Sequence, residues 1–233
     1  MNNSLQIDDV DVLVEGAGAH TVVMLHGWPD TPALWDDTVA ALRDGYRCVR
    51  FCLPGYDLTR PPRPVSVDAM CGLVRKIVDA VSPHEPVTLL LHDWGCFFGY
   101  EFAARHPDRV ARVIGVDIGD TSSGAYLKGL SGKEKRMIAY YQIWLALAWK
   151  IGPWWPGLAN RMSRYMARSI GCRSEPARIG WQMNYPYAMQ WFGAHGGLRG
   201  VARVDKLLGV DMPALFIYGR RKPFMFHSAR WIE

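Results

Sequence analysis

The chain contains 233 residues, of which 49% are hydrophobic and 21% are charged, as in one large folded domain or two small ones. This composition excludes a disordered tail, a collagen-like fibre and a small disulfide scaffold. The five cysteines show no CxxC spacing, so we expect reduced thiols and no metal site. No signal peptide is visible, and the longest apolar stretch, 138–149, is too short to span a bilayer, so we expect a cytoplasmic protein.

The net charge of +5 conceals a change of sign along the chain. Residues 1–120 contain 10 basic and 17 acidic side chains, a net charge of −7, whereas residues 121–180 contain 10 and 2, a net charge of +8. This change indicates that a different structural unit begins near residue 120. We interpret the basic segment as a solvated helical face. An anionic membrane surface or an acidic substrate is the weaker alternative, and no motif indicates nucleic acid.

The first 120 residues alternate short apolar runs with helical patterns. Strands are predicted at 21–25, 46–51, 87–91 and 110–116, and helices at 33–43, 66–81 and 95–105. This alternation predicts βαβ units and a parallel sheet that helices cover on both faces. The run at 87–91 is continuously apolar, which is typical of a central, doubly buried strand.

The next 80 residues break this rhythm. Helices are predicted at 133–150, 158–170 and 176–192, and the strand pattern resumes at 213–218. A helical insert between two parts of one sheet predicts a cap. We therefore divide the chain into a first part of the core at 1–120, a helical cap at 121–200 and a second part of the core at 201–233.

Asp93 is the strongest candidate for a reactive side chain. It follows the buried strand 87–91 and precedes Gly95 and a helix, which is the strand-turn-helix context of a nucleophile elbow. A carboxylate at a helix N-terminus is stabilised as an anion, and an anionic carboxylate can attack an alkyl carbon to form an ester. The alternative is that Asp93 only caps the helix.

Three motifs in this order carry a family resemblance. They are His26-Gly27-Trp28-Pro29, Leu53-Pro54-Gly55-Tyr56-Asp57 and His92-Asp93-Trp94-Gly95. Together they resemble the α/β-hydrolase superfamily, specifically its aspartate-nucleophile branch of epoxide hydrolases and haloalkane dehalogenases. The resemblance runs from about residue 10 to the end. It implies an α/β fold, namely a mostly parallel sheet flanked by helices with a helical cap insertion. It also implies a small hydrophobic substrate, no cofactor and no metal.

The resemblance also implies roles for residues at the matching positions. Asp93 would attack the substrate carbon, and the backbone N–H groups of Trp28 and Trp94 would form an oxyanion hole. His26 and Pro29 would shape the loop around the substrate pocket.

An epoxide would need two phenol donors from the cap, for which Tyr141 and Tyr187 are the candidates. Tyr185 and Trp144 are expected in the pocket, with Tyr185 as an alternative donor. A haloalkane would instead be held by the indoles of Trp28 and Trp94. A plainer interpretation is that these aromatic residues fill the core of the cap.

The hydrolytic base and its partner are harder to place. The family often sets a relay carboxylate after the last core strand, where this chain has Lys222, so Asp117 after strand 110–116 is our candidate. The family's histidine base follows a further strand. Of the seven histidines, His26 and His92 belong to the motifs, and His227 follows strand 213–218, from where it could approach the site. We expect the last strand, the final helix and the base to be missing, so that an ester on Asp93 persists. A dehalogenase-like hydrolase and a catalytically impaired binding protein remain alternatives, and the oligomeric state is open.

Overall fold

The computed structural model describes residues 2–121, 123–198, 201, 212–222 and 225–232. The described strands are β1 (Asn2–Ile7), β2 (Val10–Glu15), β3 (His20–Leu25), β4 (Tyr46–Phe51), β5 (Val87–His92), β6 (Val110–Val116) and β7 (Ala214–Ile217). The described α-helices are α1 (Asp36–Leu42), α2 (Val67–Val81), α3 (Trp94–Arg105), α4 (Gly124–Gly129), α5 (Gly132–Ile151), α6 (Pro156–Ser169) and α7 (Tyr185–Phe192).

These strands form one sheet in the order β1-β2-β4-β3-β5-β6-β7. The pairs β1–β2 and β2–β4 are antiparallel, and the remaining pairs are parallel. Leu25 of β3 lies opposite Leu91 of β5, so the loops that follow these two strands begin at the same level of the sheet. Strand β4 lies on one side of β3 and β5 lies on the other, so the order of strand addition switches sides here. Such a switch point opens a crevice at the carboxyl edge of the sheet, where ligands bind in such folds. The predicted α/β fold with a mostly parallel sheet is confirmed.

Strand β5 is central, as its unbroken apolar sequence predicts. Val87, Leu89 and Leu91 are completely buried on one face, and Leu90 is buried on the other. Helix α3 contacts β5, and the buried apolar residues of α2 and α3 belong to the same core cluster as Val87, Leu89 and Leu91. The apolar residues of α2 recur at helical spacing, and the Ser66 side chain caps its N-terminus by accepting from the Ala69 N–H at 3.2 Å.

Three features differ from the sequence-based expectation. The hairpin β1–β2 precedes the first predicted strand; its turn residues, Asp8 and Asp9, have positive φ. The predicted helix 176–192 is broken into two short 3-10 turns and α7, because Gly180 is extended and Pro186 lacks an N–H to continue the first turns as one helix. Helix α4 was not expected.

The helices α4–α7 form one segment between β6 and β7, hereafter the helical segment. Its longest member, α5, begins at a capping box formed by Ser131 and Glu134 and packs against α6 and α7. In the third predicted part of the chain, 201–233, the residues 202–211, Pro223, Phe224 and Glu233 lie outside the described residues. Within the described part of the chain, no helix is both long enough and apolar enough to cross a membrane.

The burial of β5 gives a test of where the stability resides. Leu89→Ala should lower the free energy of unfolding by about 3 kcal/mol, because it leaves a cavity in a completely buried strand. Leu13→Ala, on the partly exposed β2, should cost less than about 1 kcal/mol. Urea unfolding measures both; equal losses would contradict the central position of β5.

Candidate active site

Asp93 occupies a strained turn between β5 and α3. Its backbone angles are φ 51° and ψ −123°, a conformation that residues other than glycine rarely adopt. The turn aims the carboxylate away from the sheet and into a cavity at the carboxyl edge. This arrangement has the geometry of a nucleophile elbow.

Two glycines allow the loop after β3 to approach this turn. A Cβ on Gly27 would lie 2.3 Å from the Trp94 nitrogen and 2.5 Å from Asp93 Oδ1. A Cβ on Gly95 would lie 2.3 Å from the Leu25 carbonyl oxygen. Neither contact is possible for a real side chain, so both positions require glycine for close backbone contact.

The close approach brings backbone N–H groups to the carboxylate. The Trp28 N–H donates to Asp93 Oδ1 at 2.6 Å, and the adjacent Trp94 N–H also favours the anionic form of this carboxylate. Burial raises the pKa of Asp93, whereas the nearby His92 and the two N–H donors favour the anion and limit the rise. One of the two predicted oxyanion-hole donors, the Trp28 N–H, therefore already holds a carboxylate oxygen.

A cavity of about 380 Å³ opens above Asp93, between the sheet edge and the helical segment. Its lining is mainly apolar and includes Trp94, Phe97 and Phe226 from the sheet side. From the helical segment, Tyr141 of α5 and Tyr187 of α7 line the same cavity. The structure thus brings together Asp93 and both tyrosines that the sequence singles out.

The two phenols are held by aromatic and polar neighbours. The Tyr187 ring lies edge-on to Trp94 at 5.3 Å, to Trp28 at 5.8 Å and to Tyr141 at 6.1 Å. Gln142 Nε2 donates to the Tyr141 hydroxyl oxygen at 3.0 Å, so the phenolic hydrogen can point elsewhere. Burial raises the pKa of both phenols, so they keep their protons at neutral pH. A protonated phenol can donate a hydrogen bond to a substrate oxygen.

Two other aromatic residues expected in the pocket lie elsewhere. Tyr185 packs edge-on against Tyr56 in the core, at 6.3 Å between ring centroids. The Trp144 indole N–H donates to the Met162 carbonyl oxygen at 3.0 Å, because α5 turns this side chain toward α6. Neither residue is among the described residues that line the cavity, although both are expected there from the sequence.

The indole of Trp28 is also committed to another contact. Its N–H donates to Asn184 Oδ1 at 2.8 Å, and Trp28 is not among the described residues that line the cavity. Asn184 in turn donates to the Ser163 hydroxyl at 2.7 Å, which fixes its amide. The expectation that both indoles face a halide therefore fails for Trp28, whose role at the site is through its backbone N–H.

His26 and Pro29 are buried in the loop that carries Trp28. His26 Nε2 accepts from the Leu53 N–H at 3.1 Å, and burial lowers the pKa of His26 to about 3. The imidazole is consequently neutral and ties two loops of the sheet edge together. Neither residue is part of the cavity lining, so both act on the loop and not directly on a bound molecule.

Asp117 lies outside the cavity lining and is paired with a cation. Lys222 Nζ lies 2.6 Å from Asp117 Oδ2, and the Gly219 N–H donates to Oδ1 at 3.0 Å. Burial raises the pKa of Asp117, but these contacts outweigh it and lower the pKa overall. His92 lies between two carboxylates, with Nδ1 3.8 Å from Asp30 Oδ2 and Nε2 3.8 Å from Asp117 Oδ2.

No described histidine lines the cavity. His227 packs against Tyr218 at 4.6 Å and Phe216 at 5.1 Å, on the side of β7. Its neighbour Phe226 does reach the cavity, because the buried Asp120 accepts from the Ser228 N–H and hydroxyl at 2.6 Å each. Sequence reasoning missed Asp120. The available signal was its position in the loop that follows β6, three residues after Asp117.

The sheet, the elbow after its central strand and the helical segment above it define the scaffold of an α/β hydrolase. Residues 20–181 match the family described as alpha/beta hydrolase fold, which is more than half of the chain. The chain belongs to this family.

Similar proteins agree with this assignment. Epoxide hydrolase B of Mycobacterium tuberculosis is 32% identical over 124 residues, covering 52% of this chain and 35% of that protein. A cis-3-alkyl-4-alkyloxetan-2-one decarboxylase of Xanthomonas campestris is 27% identical over 177 residues, covering 64% and 53%. The structure of Bacillus megaterium epoxide hydrolase is 17% identical with a TM-score of 0.66, covering 99% and 86%, and supports the fold. Matches to the curated relatives span between 17% and 53% of their length.

The raised pKa of Asp93 predicts that this side chain costs stability. The folded protein holds the Asp93 proton more tightly than the unfolded chain, so the associated stability is complete at low pH and is lost as pH rises through the folded pKa. Asp93→Asn should therefore raise the free energy of unfolding at neutral pH, and the gain should disappear below about pH 3. Asparagine also tolerates the positive φ of this position, so the substitution should add no backbone strain.

Asp44→Asn is the matched control, because Asp44 is exposed in a turn. Its effect on urea unfolding should be under about 0.5 kcal/mol at either pH. If Asp93→Asn is instead less stable at neutral pH, the N–H donors and His92 stabilise the anion more than burial penalises it.

Proposed function

We propose that this chain opens epoxides by attack of Asp93 on a ring carbon. The observation that carries this proposal is the shared cavity of Asp93 with two protonated phenols, Tyr141 and Tyr187. A nucleophile on one side and paired acids on the other suit a substrate whose leaving group is an oxygen atom of the same ring. The similarity to Epoxide hydrolase B supports the same chemistry.

The reaction begins with formation of an ester. Asp93 Oδ1 is held by the Trp28 N–H, so Oδ2 is the attacking oxygen. It forms a bond to the ring carbon while the ring carbon–oxygen bond breaks. The ring oxygen takes that electron pair and the proton of one phenol, with the second phenol donating a hydrogen bond. The phenolate then recovers a proton from water.

Hydrolysis of this ester would complete the reaction. Water attacks the ester carbonyl carbon, and the oxyanion that develops on Oδ1 is stabilised by the N–H groups of Trp28 and Trp94. Collapse of this intermediate releases a diol and restores the carboxylate. The attack by water needs a base, and no described histidine lines the cavity. In the 233-residue chain we therefore propose that the ester forms and persists.

The mainly apolar lining indicates a small hydrophobic epoxide as the substrate class. Halide release from a haloalkane is the second candidate, because Trp94 does line the cavity. Halide release is disfavoured because the Trp28 indole N–H already donates to Asn184. Only the Trp94 indole of the two predicted donors then remains, where a halide needs two.

Intact-mass measurement after incubation with styrene oxide tests the ester. The wild-type chain should gain the mass of one styrene oxide, and Asp93→Asn should gain none. Tyr141→Phe and Tyr187→Phe should each slow the gain by roughly 10- to 100-fold, since each removes one acid. Tyr140→Phe is the control, because this tyrosine is exposed, lies outside the cavity and should leave the rate unchanged.

Two results would contradict the proposal. Sustained production of diol by the 233-residue chain would show that a base is present and that the ester does not persist. Equal labelling of wild type and Asp93→Asn would remove Asp93 as the nucleophile. Bromide release from 1-bromohexane in place of styrene oxide labelling would favour the halide alternative.

A further inference from the structure

The connection between α5 and α6 exposes an unusual amount of aromatic surface. Trp154 is 79% exposed, Trp155 is 64% exposed, and Leu158 in the first turn of α6 is 51% exposed. Exposed apolar residues are ordinary when single, but a contiguous group of large ones marks an interaction surface. This connection lies in the helical segment and takes no part in the cavity described above.

The apolar exposure continues along both helices. Tyr140 and Leu147 of α5 are seven residues apart, as are Leu158 and Tyr165 of α6, so each pair shares one helical face. The Trp144 ring joins the two faces, because it packs against Tyr140 at 6.0 Å and Tyr165 at 5.8 Å. We call this surface the aromatic face; it consists of Tyr140, Leu147, Trp154, Trp155, Leu158 and Tyr165.

Basic side chains are interleaved with the aromatic face. Arg161 and Arg168 are exposed and alternate with Leu158 and Tyr165 at spacings of three and four residues. Residues 121–180 contain ten basic and two acidic side chains, and in the described part of the chain only Arg178 of the ten forms an ion pair. The face therefore combines exposed indoles with the cations Arg161 and Arg168, for which the described residues supply no acidic partner.

We propose that the aromatic face binds the surface of an anionic lipid bilayer. Indole and phenol rings prefer the headgroup level, because one end of each is apolar and the other can hydrogen-bond to water or lipid. Arg161 and Arg168 would contact lipid phosphates there. Lysine and arginine residues near an anionic membrane surface are attracted to it. This attraction adds to the binding free energy that comes from burying apolar rings.

A second copy of the chain is a less suitable occupant. A symmetric contact through this face would bring two segments of net charge +8 together, and like charges across an interface are repulsive. A bilayer that contains phosphatidylserine supplies the opposite charge. The inference is independent of the epoxide chemistry, since none of the six residues of the aromatic face lines the cavity.

Co-sedimentation of the 233-residue chain with vesicles tests the proposal. We expect binding to phosphatidylcholine vesicles that contain phosphatidylserine, weak binding to pure phosphatidylcholine, and loss of binding at high salt. Trp154→Ser/Trp155→Ser should weaken binding at least about tenfold. Arg161→Gln/Arg168→Gln should weaken it by about 25-fold, at roughly fivefold for each cation.

Arg43→Gln/Arg112→Gln is the matched control, because it makes the same change in net charge at exposed residues outside the helical segment. It should alter binding by less than roughly twofold. Brominated acyl chains should quench the tryptophan emission of the wild type, and Trp154→Phe/Trp155→Phe should lose most of this quenching while it still binds. Circular dichroism confirms that each variant is folded.

Three outcomes would overturn the proposal. The first is no sedimentation with anionic vesicles. The second is that Arg43→Gln/Arg112→Gln weakens vesicle binding as much as Arg161→Gln/Arg168→Gln does. Binding would then depend on the net charge of the chain and not on the aromatic face. The third is a concentration-dependent dimer that Trp154→Ser/Trp155→Ser abolishes in the absence of vesicle binding, which would assign the face to a second copy.

Discussion

The contact between the loop after β3 and the turn after β5 determines the chemistry of the whole cavity edge. Gly27 has no side chain, so its backbone lies against the Asp93 turn, and the next N–H, from Trp28, reaches Oδ1 at 2.6 Å. The parallel pairing of β3 and β5 sets the height of this contact, since Leu25 and Leu91 are register partners. A buried sheet thus holds a strained carboxylate in one orientation, and packing elsewhere supplies the free energy that the strain costs.

The helical segment contributes what the sheet cannot. Tyr141 and Tyr187 come from different helices, and they meet above Asp93 because α5 and α7 pack together. Burial keeps both phenols protonated, and the same burial raises the pKa of the carboxylate beneath them. One apolar environment therefore holds two proton donors opposite one carboxylate nucleophile. The outward faces of α5 and α6 have a different character, with exposed rings and exposed cations.

The sequence predicts the sheet and the elbow well, because hydrophobic periodicity and the residues that end each strand are local signals. It places Asp93, Tyr141 and Tyr187 in one cavity through the family resemblance. It could not show that Trp28 binds Asn184, 156 residues away, or that Trp144 faces α6, because such contacts depend on how helices pack. The pairing of Asp117 with Lys222 likewise depends on tertiary contacts.

Peptide mapping by tandem mass spectrometry after incubation with styrene oxide tests the central claim most directly. Gly27→Ala should disrupt the contact at the elbow, whereas Gly72→Ala adds a methyl group where no atom lies within 4 Å and should leave the site intact. The account predicts an ester on Asp93 in the wild type and in Gly72→Ala, and little or none in Gly27→Ala. An adduct on Cys52 or Cys172 in place of Asp93, or equal labelling of Asp93 in all three proteins, would contradict it.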